Sequence, residues 1–146
     1  MQTVALWIPL AAAVAASAFD LRNREIPDAI PAALLAWAVA ATIFGWHAPG
    51  WWRLIAGVAL GLLLAVPLFY LGGLGGGDVK LIAALGAVFG PAGLAMVLLW
   101  TALAGGVLAL VASGRGKRDL AYAPAIAAGV AAETLWPFGL WYVLVS

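Results

Sequence analysis

An all-α bundle embedded in a membrane is the fold class this sequence predicts, and three observations predict it. Hydrophobic residues make up 66% of the 146, and charged residues only 9%, where a soluble domain carries about 25%. Mean hydropathy is +1.11, which leaves too few polar side chains to cover a water-facing surface. The apolar residues fall in runs of helical length, divided by short polar or glycine-rich breaks, which is the layout of spans and loops.

The same composition excludes several function classes. A net charge of +1, with no block of basic residues, gives nothing to neutralise a nucleic-acid backbone. The absence of cysteine removes disulfides, thiolate metal sites and thiol nucleophiles together. A cleaved signal peptide is not expected, because the first basic residue, Arg22, follows the first apolar run instead of preceding it.

In chain order, residues 3–19 form a first apolar run of roughly 25 Å as helix, marginal for a hydrocarbon core of about 30 Å. Residues 20–28, DLRNREIPD, are the densest charged patch and read as a loop. Ala29–Phe44 is the second span, with Pro27 near its first turn. Residues 45–52 are a short turn holding His47, Pro49 and Gly50. Residues 53–71 are the third span. Residues 72–80, GGLGGGDVK, interrupt the apolar pattern with glycine and deliver one acid, Asp78, to the next run. Residues 79–112 are too long for one span and short for two. A turn at Gly90-Pro91 divides them into 79–89, a fourth helix that is short or tilted, and 94–112. Residues 113–119 are a polar loop, and 122–145 are a sixth span interrupted by Pro137. No internal repeat or soluble domain is evident, so 1–146 reads as one membrane-embedded unit.

Six spans place the odd-numbered loops on one face. Those loops hold Arg22, Arg24, Lys80, Arg115, Lys117 and Arg118, and the other face holds only Arg53. The bias of positive charge toward the cytoplasm then puts the odd loops inside and both termini outside. Trp7, Trp46, Trp51, Trp52 and Trp141 fall near the outer helix ends, as an aromatic belt would, or serve as packing and lipid anchors.

This parity sets Asp20 and Asp78 on one face at similar depth, each where a polar loop meets a helix. Acids beside hydrocarbon are costly and mark candidate functional sites. Two carboxyls brought together in a partly dry site share a proton, and the pair serves as general acid and general base on one water. That chemistry hydrolyses peptides without metal, thiol or serine. The bland alternative makes Asp78 a helix cap and Asp20 an interfacial loop acid. The glycine run is no nucleotide site, because it has no G-K-[ST] and a GxGxxG frame begun at Gly73 ends on the anion Asp78.

DLRNREIPD, with Asp20 and Ile26-Pro27, resembles the first motif of bacterial type IV prepilin peptidases. Gly75-x-Gly77-Asp78-x-Lys80 resembles their GxGDxK motif, related to the GxGD signature of intramembrane aspartyl proteases. The stretch 121–126, AYAPAI, resembles the run that opens their last helix. The resemblance implies that Asp20 and Asp78 are the catalytic pair, with no metal or other cofactor. It implies removal of a short basic leader from prepilin or pseudopilin substrates at the cytoplasmic face of a bacterial inner membrane. The small size resembles the branch serving Flp-type (Tad) pili. The longer members' N-terminal cytoplasmic extension and paired cysteines have no counterpart here, so methylation of the new amino terminus is not expected. Asp28 stands where Asn is expected in many relatives, and either residue caps a helix.

Supporting roles follow from position. Gly75 and Gly77 let backbone approach the acid. Lys80, two residues past Asp78, faces away from it and either anchors to headgroups or neutralises the mouth of the site. Arg22 and Arg24 fix orientation. Glu25 and Asp28 are the acids suited to touch a basic leader. Glu133 is a protonated structural hydrogen-bonder, a third site residue or an acid near the outer exit. His47 is interfacial. Two other classes remain open: a small proton- or cation-coupled transporter, and a non-catalytic factor of pilus assembly.

Overall fold

The computed structural model describes residues 2–46, 50–115 and 123–135, with side chains from residue 7 onward. Those residues form five α-helices: α1 (Gln2–Asn23), α2 (Ala29–Phe44), α3 (Trp51–Tyr70), α4 (Gly76–Gly114) and α5 (Ala123–Leu135). Helices α3 and α4 are long and apolar enough to cross a membrane, and α2 and α5 are shorter apolar helices. His47, Lys117, Arg118, Pro137 and Trp141 lie outside the described residues, as does most of the second half of the expected span 122–145.

Each helix buries one stripe at helical spacing. In α1 it is Pro9, Ala13 and Ala16, in α2 Pro31, Leu34, Ala38 and Ala41, and in α3 Leu54, Gly57, Gly61 and Ala65. In α5 it is Ala123, Ile126, Val130 and Glu133. Small residues dominate, so the backbones come close. Apolar side chains such as Leu63, Leu71, Leu110 and Trp52 point outward, each more than two-thirds exposed, as they would toward lipid but not toward water.

Helix α4 is the hub and packs against α2, α3 and α5, while α1 packs against α5 and α2. Its 39 residues would run to roughly 58 Å if straight. They do not run straight, because Gly90 leaves helical geometry with φ 69° and ψ −179°, just ahead of Pro91. This break falls where the sequence predicts a turn. The chain bends there far enough for Leu94 Cδ2 to lie 3.1 Å from the position a Gly86 Cβ would occupy, although eight residues of straight helix would separate the two by about 12 Å.

The α3–α4 contact depends on two glycine pairs spaced by four, Gly57/Gly61 on α3 and Gly86/Gly90 on α4. A Cβ on Gly57 would overlap the Gly86 carbonyl, and one on Gly86 would overlap the Gly57 carbonyl. Among apolar helices in lipid, such close approach supplies the van der Waals contact that holds a pair together.

The largest differences from the sequence reading are at the end of α1 and the start of α4, and α3 begins at Trp51 rather than at residue 53. Helix α1 runs on through Asn23, four residues into the charged patch. Asp20 through Asn23 contain no helix breaker, and polarity alone does not end a helix. The stop is Arg24, which takes a left-handed conformation (φ 55°) while its N–H still bonds Asp20 O at 2.9 Å. Helix α4 starts at Gly76 rather than Val79, so the last glycines of the spacer are its first turn.

Candidate active site

The residues singled out by sequence gather at one end of the bundle, where α1 ends and α2, α4 and α5 begin. Asp20 sits four residues beyond Ala16 and continues the buried stripe of α1. It is half-buried in the last turn, where the carbonyl end of the helix is a poor place for an anion. The N-terminus of α5 offsets this, with the Ala123 N–H donating to Asp20 Oδ2 at 3.3 Å.

Asp78 occupies the third position of α4, on one face with Leu81, Ile82 and Leu85, and is only 7% exposed. The Gly75 N–H donates to its Oδ2 at 3.3 Å, which is half of a capping box. Glycine has no side chain for the other half. The second oxygen, Oδ1, is fully buried and makes no hydrogen bond among the described residues. Asp20 lies close enough for its charge to act on the Asp78 carboxyl. Asp20 and Asp78, 58 positions apart, thus stand at the same end of the bundle, on α1 and α4. Burying an unpaired carboxylate costs several kcal/mol, which sets Asp78 apart from an ordinary helix cap.

Gly77 allows this approach. A Cβ there would lie 2.9 Å from Ile26 Cβ and 3.4 Å from Ile26 O. Ile26, 8% exposed, thus ties the segment after α1 to the first turn of α4, and Ile26-Pro27 and GxGD meet as one packing unit. Gly75 faces outward, and a Cβ there would have Asp78 Oδ2 as its nearest contact, at 3.4 Å.

Two sequence expectations need correction. Asp28 precedes α2 but makes no side-chain cap. Its Oδ1 instead accepts from Lys80 Nζ at 2.7 Å. Lys80 accordingly spans from α4 to the start of α2 rather than serving only as a headgroup anchor. A pair 52 positions apart in sequence has no periodicity to announce it. Glu25 is exposed beside this end of the bundle. Glu133 is buried on the α5 stripe at 7% exposure, and its Oε2 has no hydrogen bond among the described residues. Ten residues of helix set it roughly 15 Å from Ala123, so it belongs to the interior of the bundle and not to the acid pair. Among the described residues no group of three or more His, Cys, Asp or Glu side chains is placed to hold a metal.

Sequence reasoning missed the Ala123 amide. The AYAPAI stretch marks the start of the last helix, but nothing in it says which side chain the first N–H meets.

Fold and site together define an all-helical protein, two of its helices long and apolar enough to cross a membrane, with two carboxyl side chains at one end of the bundle. The chain belongs to the type IV leader peptidase family, whose model matches residues 7–110. It is 36% identical over 142 residues to a prepilin leader peptidase/N-methyltransferase of Burkholderia pseudomallei (strain 1026b), covering 89% of this chain and 46% of that protein. A protein of the same description from Bacillus subtilis (strain 168) is 34% identical over 116 residues, covering 75% of this chain and 46% of its own length. The chain thus spans about half the length of the curated relatives it matches. No solved structure matches it.

Proposed function

We propose that the protein is a membrane aspartyl endopeptidase that removes the basic leader from prepilin or pseudopilin substrates. The observation that carries this is the buried Asp78 carboxyl, one oxygen unpartnered, within reach of the charge on Asp20. Family membership supplies the substrate class, and the two acids supply the chemistry.

One carboxyl holds a proton and the other does not. The ionised carboxylate takes a proton from a water held between them, and that water attacks the scissile carbonyl carbon. The protonated carboxyl gives its proton to the carbonyl oxygen. The resulting tetrahedral adduct collapses as the C–N bond breaks: the leaving nitrogen receives the proton taken from water, and an adduct hydroxyl returns a proton to the other carboxylate as the carbonyl re-forms. The products are a leader carboxylate and a free amine on the mature protein, and the pair returns to its starting protonation. Gly75 keeps the entrance bare, so an extended substrate backbone can reach Asp78, while Gly77 lets Ile26 pack against the turn that carries the acid.

In this reading the bundle crosses the bacterial cytoplasmic membrane six times, α4 contributing two passes through its break at Gly90. The acid pair faces the cytoplasm and both termini lie outside. Arg22, Arg24, Lys80 and Arg115 all fall on the inner side and Arg53 on the outer. Methyl transfer is assigned to none of the described residues.

Incubating the detergent-purified protein with a prepilin and following its mass tests the proposal. The expected result is a shift equal to the leader, lost in Asp20→Asn and in Asp78→Asn. An intact prepilin after incubation with well-folded wild-type protein overturns it and leaves the transporter and assembly-factor readings standing.

A further inference from the structure

On the face of α4 turned away from Asp78, an apolar groove of about 350 Å³ opens between α2 and α3. It exists because both helices pack on α4 but meet each other at most marginally among the described residues. Leu35 of α2, Val58 and Leu62 of α3 and Ala84 of α4 line it, and its charged residues are Asp28 and Lys80. Leu35 and Leu62 are exposed, so the groove faces what surrounds the bundle and not its core. Asp28 and Lys80 pair at 2.7 Å while 74% and 55% exposed. Asp28 precedes α2, and Leu35 lies two turns further along, roughly 10 Å deeper. One end of the groove is therefore charged and the rest is apolar. In a membrane-embedded bundle the apolar part lies against hydrocarbon and the charged end at the level of the headgroups.

We infer that the groove binds a phospholipid whose headgroup carries both a phosphate and a primary ammonium, of the phosphatidylethanolamine type. The phosphate meets Lys80, the ammonium meets Asp28, and an acyl chain lies along Leu35, Val58 and Leu62. The inference does not need the leader-peptidase reading. Charge complementarity selects this ligand, because the mouth presents one cation and one anion side by side and the headgroup presents the opposite pair. The Lys80–Asp28 contact engages one carboxylate oxygen, whereas an ammonium has three donors and a carboxylate two oxygens. The headgroup therefore adds to the pair without breaking it. A phosphatidylglycerol headgroup brings an anion and nothing to offset Asp28. A phosphatidylcholine headgroup brings a cation with no N–H to donate. A transmembrane helix is too large an occupant, being about 10–12 Å across and about 30 Å long in the hydrocarbon, against a groove that runs roughly 10 Å.

The test uses the purified protein in detergent, given phosphatidylethanolamine, phosphatidylglycerol or phosphatidylcholine with the same acyl chains. Phosphatidylethanolamine is expected to raise the melting temperature most. In native mass spectrometry of an equal mixture it should stay bound about fivefold more than either rival, the ratio that roughly 1 kcal/mol of exposed ion pairing gives. Asp28→Asn should abolish that preference. Leu35→Trp, which fills the groove from an exposed position on α2, should do the same. A photo-crosslinking residue in place of Leu62 is expected to capture lipid. Equal retention of the three lipids overturns the inference, as does a preference that survives both substitutions. Capture of another protein, or of a second copy of this chain, at position 62 overturns it too. None of these readouts involves prepilin cleavage, so the leader-peptidase reading stands or falls separately.

Discussion

Gly77 sets how closely the turn carrying Asp78 approaches the segment after α1. Its missing Cβ is the space that Ile26 fills. Gly77→Val should therefore force Ile26 away, at an overpacking cost of about 1–3 kcal/mol. Cleavage should fall at least tenfold, and the melting temperature in detergent should drop. Gly106→Ala serves as the comparison, because a Cβ there meets nothing within 4 Å. It should leave melting unchanged or raise it slightly. At this scale the sequence is informative about chemistry and poor about partners. Asp20 and Asp78 are legible because a lone acid beside an apolar run is costly wherever it folds. The Asp28–Lys80 pair is not, since Asp28 at a helix start is indistinguishable from a cap until a lysine from another helix arrives.

At the scale of elements, α5 holds the pair together. Asp20 and Asp78 stand on α1 and α4, which touch only marginally among the described residues, whereas α5 packs extensively on both. Gly129 makes the α5–α4 seam tight, with a Cβ there overlapping Thr101 Oγ1 and lying within 3 Å of the Thr101 N. The N-terminus of α5 then presents the Ala123 N–H to Asp20. Ala123→Pro removes that donor at a helix start, where proline is tolerated. The expected outcome is a kcat lowered roughly tenfold with KM little changed, because Asp20 is misplaced while substrate contacts persist. An unaltered kcat would show that the amide does not position Asp20. The helices themselves are largely legible in the sequence. Ala29–Phe44 falls where the apolar run places it, and the break at Gly90 follows from an apolar stretch too long for one span. The end of α1 is not legible, because a charged stretch reads as loop although only a backbone reversal at Arg24 stops the helix.

For the whole molecule, the composition points to a membrane, and the proposed orientation rests on the distribution of arginine and lysine. The chain has no cysteine, so single cysteines report topology cleanly. In intact spheroplasts, a cysteine replacing Arg24 or Gly73 should resist a membrane-impermeant thiol reagent, and one replacing Trp46 should react. The reverse pattern would place the acid pair outside the cytoplasm. That two acids 58 positions apart stand at one end of the bundle is what parity of loops predicts and local pattern does not. Placing Glu133 in the interior needs the helix register of α5, since hydropathy treats it as one more interruption.

The account turns on Asp20 and Asp78 working as one unit, and rates of leader removal by Asp20→Asn, Asp78→Asn and the double variant test that most directly. Groups acting together lose their effect together. Each single substitution should bring the rate down at least about a hundredfold, the lower bound of what general acid–base catalysis contributes, and the double variant should fall no further. A single variant that retains the unsubstituted rate, or two partial losses that multiply in the double variant, would contradict it.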